Sequence, residues 1–137
     1  MRLFVDTSSL FKKYVDEPGS DAFEKLISTA SQLAVSPITW VEINATIQRR
    51  VRDNHLTAEK ADWLRHEIKK DFTYFFLVLW NENLENKTVE LIRRHALKTM
   101  DAVQLASGVL SESEIFVTSD HQLHLAAKKT LQHVRLV

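Results

Sequence analysis

Near its start the chain carries LFVDTSSL, from Leu3 to Leu10, in which an apolar run stops at a carboxylate. The residues RLFV before that carboxylate predict a buried β-strand that ends at Asp6. From Ser9 onward the apolar residues recur at helical spacing, so the hydroxyl side chains after Asp6 mark a junction between strand and helix. Asp6 therefore either caps the helix or forms one corner of a reaction centre.

Composition sets the class of protein to which this junction belongs. The 137 residues are 45% hydrophobic and 26% charged, which is typical of a globular domain. Only two glycines and two prolines interrupt the chain, and this favours long helices with short connections. Cysteine is absent, which excludes disulfides, thiolate catalysis and sulfur-ligated zinc. The 18 basic and 18 acidic residues cancel, so nucleic-acid affinity would require local basic patches.

The sequence favours a soluble, cytoplasmic protein with no membrane partner. Its longest strongly apolar stretch, Tyr74 to Trp80, is far shorter than the roughly 20 residues that span a bilayer. The amino-terminal residues reach Asp6 too soon to form the apolar core of a signal peptide.

Strand patterns alternate with helical patterns along the chain. We expect strands at residues 2–5, 33–36, 75–80, 115–118 and 133–137. We expect helices at about 9–15, 21–30, 37–54, 57–73, 81–97 and 99–110, with a last helix from Asp120. The expected helix caps are Ser36 followed by Pro37, then Thr57, Thr99 and Asp120. Apolar strands that alternate with helices predict a three-layer α/β/α sandwich with a mainly parallel sheet of about four or five strands. With no linker or repeat, residues 1–137 are predicted to form one domain.

Four acids follow or lie near the predicted strand ends, where sites form in parallel sheets. Asp6 ends the first strand and Glu42 lies on the helix after the second. Asp101 lies in the first turn of its helix and Asp120 follows the fourth strand. Each has an ordinary explanation as a helix cap, a helix-dipole partner or, for Glu42, a solvated surface side chain.

Convergence of these acids would require protons or cations. Two carboxylates about 4 Å apart repel by roughly 4 kcal/mol at an effective dielectric constant of 20. Hard divalent ions with oxygen ligands, Mg²⁺ or Mn²⁺, suit an all-carboxylate site. The nearby hydroxyls of Thr7, Ser8 and Thr118 are candidates to orient the carboxylates.

Four motifs in a fixed order resemble one known family: VDTSSLFKKYVDEPGS, SPITWVEINATI, MDAVQLAS and IFVTSD. Together they resemble the PIN-domain ribonucleases, and most closely the VapC-type toxins of bacterial and archaeal toxin–antitoxin pairs. The likeness covers nearly the whole chain and implies a PIN-like fold. It also implies that the catalytic, metal-binding acids are Asp6, Glu42, Asp101 and Asp120, supported by the hydroxyls of Thr7 or Ser8 and of Thr118. The sequence departs from the family at Gln104, where many relatives carry histidine, and at His121, where lysine or arginine is common.

The resemblance implies an Mg²⁺- or Mn²⁺-dependent endoribonuclease toxin that hydrolyses phosphodiester bonds with metal-activated water. Its substrate would be of the transfer-RNA or ribosomal-RNA class. Candidate RNA contacts are Arg49, Arg50, Lys12 and Lys13, each of which is also explained as part of a solvated helix face.

A toxin of this kind implies a cognate antitoxin and a homodimer. Exposed aromatic side chains would serve such contacts, although aromatic residues at helical spacing more often belong to a core. The candidates are Phe11, Tyr14, Trp63, Phe72 and Tyr74.

Three other functions stay open at this point. An aspartyl-phosphate phosphatase would need an acid two residues after the first, where Ser8 stands. A non-catalytic, Mg²⁺-binding receiver-like domain would need adjacent acids after the first strand, and FVDTSS offers one. A partner-binding α/β module requires no convergence of the acids.

Overall fold

A five-stranded parallel sheet forms the centre of the computed structural model, which describes residues 1–137. The spatial order of the strands is β3-β2-β1-β4-β5. Their bounds are β1 Arg2–Val5, β2 Gln32–Val35, β3 Phe76–Leu77, β4 Ile115–Thr118 and β5 Val134–Leu136. Parallel pairing sets Leu3 of β1 opposite Leu33 of β2 and Ile115 of β4. The predicted parallel sheet is therefore confirmed.

Helices cover both faces of this sheet. They are α1 Thr7–Leu10, continued by a 3₁₀ turn at Phe11–Lys13, then α2 Ser20–Ile27, α3 Thr39–Arg52, α4 Ala58–Phe72, α5 Glu82–Arg94, α6 Thr99–Leu110 and α7 His121–Thr130. Successive side chains of a strand point to opposite faces. Leu3 and Val5 accordingly pack in a core with α1 to α4, whereas Phe4 packs in a second core with α5 to α7. Two cores on either side of one sheet confirm the three-layer sandwich.

The order of the strands defines where a site can form. From β1 the chain builds outward through β2 and β3, and it then returns to the other side of β1 for β4 and β5. The junction between β1 and β4 is a topological switch point, and the crevice outside the carboxyl ends of these strands is the usual ligand position in such sheets. Asp6 follows β1 and Asp120 follows β4, so both acids flank this crevice.

Two predicted helix caps are wrong. Helix α3 begins at Thr39 rather than at Pro37, and no side chain caps it. The Ser36 hydroxyl accepts a 3.3 Å hydrogen bond from the Ile38 N–H within a turn that precedes the helix. Thr99 is the first helical residue of α6 rather than its cap, and the preceding Lys98 provides no capping side chain. Thr57 and Asp120 cap their helices as predicted.

The third strand is much shorter than the predicted residues 75–80. The strand residues Phe76 and Leu77 pair with β2 at the edge of the sheet, and the Val78 N–H donates a further hydrogen bond to the Val35 carbonyl at 3.0 Å. Leu79 and Trp80 are apolar but exposed, so they do not belong to a buried strand as predicted. Helices α2 and α5 also end before the predicted residues 30 and 97.

Close packing holds α6 against the sheet. A Cβ atom at Gly108 would collide with the Phe116 ring of β4, so only glycine allows this approach. Phe116 stacks on Phe4 with ring centroids 5.2 Å apart. The stacked rings and the glycine fix the distance from α6 to β1 and β4, and hence the position of the polar residues at the start of α6.

None of the helices combines the length and the apolar character that crossing a lipid bilayer requires.

Candidate active site

A polar cavity of about 450 Å³ lies at the carboxyl ends of β1 and β4. All four acids that the sequence singled out line it: Asp6, Glu42, Asp101 and Asp120. Only two of the 15 lining residues are hydrophobic, so the cavity suits a charged or strongly polar ligand. The structure thus brings together acids that are up to 114 positions apart in the numbering, from Asp6 to Asp120.

Asp6 is buried at the start of α1, with 3% of its surface exposed. One carboxylate oxygen, Oδ1, accepts hydrogen bonds from the Ser9 N–H at 2.9 Å and from the Ser9 hydroxyl at 2.8 Å. Oδ2 accepts one from the Thr118 hydroxyl, and the Ser8 hydroxyl lies 2.9 Å from both oxygens. Asp6 is therefore the cap of α1 and also a carboxylate held rigidly at the cavity.

Burial dominates the ionisation of Asp6. It raises the pKa of this carboxyl from 3.8 to about 6, even though hydrogen bonds from Thr118, Ser9 and Ser8 favour the ionised form. A buried carboxylate that lacks a neighbouring cation is costly, so this group would gain from a positive charge in the cavity.

Glu42 reaches the cavity from the first turn of α3. Its Oε1 atom accepts hydrogen bonds from the Thr7 hydroxyl at 2.7 Å and from the Gln104 side-chain amide at 2.6 Å. Thr7 thus supports Glu42 rather than Asp6, whereas Ser8 and Thr118 support Asp6.

Asp101 and Asp120 face each other's charge across the cavity. The pKa of Asp101 is raised, first by burial and then by the negative charges of Asp120 and Glu42, and Lys98 only partly opposes this. Asp120 caps α7 by accepting a 2.9 Å hydrogen bond from the Leu123 N–H through Oδ1. The influence of Asp120 and Glu42 on Asp101 indicates that the three acids share one electrostatic site.

The donor set of the cavity is compatible with a hard divalent cation. No three Asp, Glu or His side chains lie close enough together in this structure to chelate a single ion. Five carboxylates nevertheless line the cavity, the four acids above and Glu17. Two further lining residues, Gln104 and Ser119, each have a buried side-chain oxygen without a hydrogen-bond partner. Oxygen donors of this kind suit Mg²⁺ or Mn²⁺.

Basic side chains line the same cavity. Lys12, Arg49 and Arg50 are among its lining residues. Lys13 lies elsewhere, because its Nζ atom pairs with Asp71 at 2.6 Å. Three of the four predicted RNA contacts therefore border the acids, and the fourth does not.

Three residues at the site were missed by the sequence-based reasoning. Ser9 donates to Asp6 from the third position after the cap, a spacing at which a side-chain contact with the cap residue can be expected. Glu17 pairs with Lys12 at 3.3 Å and with Arg50 at 3.0 Å on the cavity wall. Gln104 was identified only as a departure from the family pattern, and neither it nor Glu17 has a local sequence feature that indicates its contacts.

The aromatic residues that we considered for partner contacts divide into two groups. Phe11 is buried in the core, and Tyr14 and Phe72 are half-buried against it. Trp63 and Tyr74 are exposed over 52% and 79% of their surface, respectively. Only these last two are available to a partner over most of their rings.

Comparison with known proteins adds family and fold information to this geometry. The family model for the PIN domain matches residues 3–129. No curated protein sequence matches significantly. A toxin–antitoxin complex from Klebsiella pneumoniae is similar with a TM-score of 0.68 and 20% identity, over 98% of this chain and 96% of that chain. The Sarcin-Ricin loop cleaving toxin VapC20 from Mycobacterium tuberculosis has a TM-score of 0.70 and 18% identity, over 90% and 94%. VapBC2 from Rickettsia felis, bound to a DNA fragment from its promoter, has a TM-score of 0.69 and 10% identity, over 100% and 99%.

Proposed function

The chain belongs to the PIN-domain family, and on that premise we propose that it is an Mg²⁺- or Mn²⁺-dependent endoribonuclease of the VapC type. The observation that carries this proposal is the meeting of Asp6, Glu42, Asp101 and Asp120 in one polar cavity at the switch point of the sheet. Basic side chains on the same cavity supply a place for the phosphates of a nucleic acid.

The four acids form the metal-ligand set in this proposal. Asp6 is the most rigid ligand, because three hydroxyl side chains and a backbone N–H hold its carboxylate. Glu42, Asp101 and Asp120 would complete the ligand set from three different helices. When bound there, a divalent cation would supply a Lewis acid that activates water and neutralises the charge of the scissile phosphate. The four carboxylates would orient the attacking water against the phosphorus, and the hydrogen bonds that hold Asp6 and Glu42 limit the reorganisation that this requires.

Calorimetric titration with Mn²⁺ tests the proposed ligand set. We expect the purified protein to bind Mn²⁺, and we expect Asp101→Asn and Asp120→Asn each to weaken binding about 10-fold or more, because each removes a charged ligand. Asp71→Asn is a matched control, since Asp71 pairs with Lys13 outside the cavity. A wild-type protein that binds no Mn²⁺ would instead support the partner-binding α/β module. That alternative is favoured by the finding that no three acids lie close enough together to chelate one ion.

RNA affinity would come from the basic residues on the cavity wall, and Glu17 competes for two of them. Its carboxylate pairs with Lys12 and Arg50, which are largely buried and half-buried, respectively. Arg49 is exposed on the cavity wall, where it can contact a phosphate. RNA phosphates would therefore compete with the Glu17 carboxylate for Lys12 and Arg50 and would be repelled by its negative charge.

Replacing Glu17 with glutamine is expected to tighten RNA binding by about 3- to 10-fold at low salt, because it removes one negative charge from the cavity wall and releases Arg50 from its ion pair. Fluorescence anisotropy with labelled RNA measures this, with Asp6→Asn in the background to prevent cleavage. Glu67→Gln, which breaks the surface pair with Lys70, makes the same charge change at another place. RNA affinity that responds equally to both substitutions would show that only net charge matters.

The proposal includes a cognate antitoxin and a homodimer. The Klebsiella structure is described as a toxin–antitoxin complex, and the exposed rings of Trp63 and Tyr74 offer apolar contact area for a partner. By the same family analogy, we propose that the substrate belongs to the transfer-RNA or ribosomal-RNA class. One structural relative, VapC20, is a toxin that cleaves the Sarcin-Ricin loop.

A further inference from the structure

Gln104 is a buried polar residue in the wall of the cavity, with 2% of its surface exposed. Its Nε2 atom donates to Glu42 Oε1 at 2.6 Å and to the Thr7 hydroxyl at 2.9 Å, and it lies 3.4 Å from the Thr39 hydroxyl. Thr7 itself donates to the same Glu42 oxygen at 2.7 Å. Glu42, Thr7 and Gln104 thus form a closed triangle of hydrogen bonds.

The chemistry of this triangle fixes the orientation of the amide. The Thr7 hydroxyl uses its single proton on Glu42, so it can only accept from Gln104. Glu42 as a carboxylate can also only accept. Both neighbours therefore require the amide nitrogen, and the reversed amide would set its carbonyl oxygen against a carboxylate oxygen.

This orientation leaves Gln104 Oε1 buried without a partner. A buried carbonyl oxygen that accepts no hydrogen bond destabilises the fold, so stability alone does not explain the residue. The presence of an amide at this position is explained if its hydrogen bond to Glu42 has a role in the active site.

The position of Gln104 on α6 indicates how its contact with Glu42 contributes to the site. Gln104 lies three residues after Asp101, so both project from the same side of α6. Glu42 lines the same cavity as Asp101 but lies on a different helix, and it is only half-buried. Two carboxylates that share a cavity repel each other, and the hydrogen bond from Gln104 opposes movement of the Glu42 side chain toward solvent.

We propose that Gln104 is a positioning residue that ties Glu42 to α6 and so holds it in register with Asp101. Both hydrogen bonds to Glu42 end on Oε1, which leaves Oε2 available to the cavity. The proposal deepens the proposed function, on which it rests in taking Glu42 as a metal ligand. The contact between Gln104 and Glu42 can be tested without metal or RNA.

A double-mutant cycle tests whether Gln104 acts through Glu42. Gln104→Met removes both donors at nearly constant volume and is expected to raise the Kd for Mn²⁺ about 10-fold, measured by calorimetry. In the Glu42→Ala background the same substitution should change the Kd less than about 2-fold, since the residue that it positions is gone. Gln122→Met, at an exposed position of α7, is the control for the change in residue type. An equal loss of affinity in both backgrounds, or none in either, would overturn the proposal.

The second measurement separates this proposal from the proposed function. In a ¹H–¹⁵N correlation spectrum recorded with chelator, the side-chain amide of Gln104 should be shifted from the free-glutamine position and protected from exchange with solvent. Glu42→Ala should move it toward that position and speed its exchange, whereas Asp120→Asn should leave it in place. An unchanged Gln104 signal in Glu42→Ala overturns the positioning role. If wild-type protein binds no Mn²⁺, the proposed function fails and this spectrum alone decides the role of Gln104.

Discussion

Replacing Asp6 with asparagine is expected to lower the rate constant for RNA cleavage by about 100- to 1,000-fold at saturating RNA and Mg²⁺. Asp6 supplies a buried negative charge at the cavity, and an amide cannot replace it as a ligand for a hard cation. Loss of a ligand that helps to stabilise transition-state charge by about 3–4 kcal/mol corresponds to this change in rate.

The fold should survive this substitution, which makes the loss of activity informative. An asparagine side chain can still accept the hydrogen bond from the Ser9 N–H that caps α1. Circular dichroism and the midpoint of urea unfolding report on the fold, and Asp71→Asn repeats the chemical change away from the cavity. RNA cleavage by Asp6→Asn within about 3-fold of the wild-type rate would exclude Asp6 as an essential ligand.

The second large effect is on stability as a function of pH. We expect Asp6 to make the free energy of unfolding of the metal-free protein fall by about 3 kcal/mol as the pH rises from about 4 to above 6. The folded-state pKa of about 6 lies above the value of 3.8 for an exposed group, so the folded protein retains a proton that the unfolded chain has released. The stabilising contribution is therefore complete below the lower pKa and is lost as the pH passes the higher one.

Urea unfolding of the wild type and of Asp6→Asn over this pH range measures the effect. Other groups titrate in both proteins, so the relevant quantity is the difference between the two free energies of unfolding. As the pH rises, the free energy of unfolding of the wild type should fall by more than that of Asp6→Asn. Saturating Mn²⁺ at neutral pH should return stability to the wild type but not to the variant. Parallel curves for the two proteins would contradict the burial argument for Asp6.

The fold could be predicted from the sequence because short apolar strands alternate with amphipathic helices along the whole chain. The third strand was predicted too long because Leu79 and Trp80 are apolar yet exposed, and composition alone cannot distinguish an edge strand from a buried one. Ser36 and Thr99 failed as caps because a hydroxyl near a helix start can be used in a turn or inside the helix instead. That residues 1–137 form one domain stays a prediction.

The four acids could be identified because each follows or lies near a strand end, and the family pattern places them in the same order. The hydroxyls of Thr7, Ser8 and Thr118 were predicted as supports, but the sequence did not indicate which acid each of them contacts, and it did not indicate the support from Gln104. Gln104 meets Glu42 across 62 positions of sequence, and Thr118 meets Asp6 across 112. Such contacts depend on how α6 and β4 pack against β1, which no local pattern encodes. Lys13 shows the converse, since it is basic and near Asp6 in sequence but pairs with Asp71 outside the cavity.

Cleavage of RNA by the purified protein, with and without Mg²⁺ and with both product ends identified, tests the central claim most directly. The proposed site predicts cleavage that requires Mg²⁺ or Mn²⁺, stops on chelation, resumes when the ion is restored and is lost in Asp6→Asn. The products should carry a 5′-phosphate and a 3′-hydroxyl, because attack by an external water needs no ribose 2′-hydroxyl. Cleavage that persists in chelator, or that the wild type and Asp6→Asn perform equally, would contradict a metal-dependent ribonuclease built on these four acids.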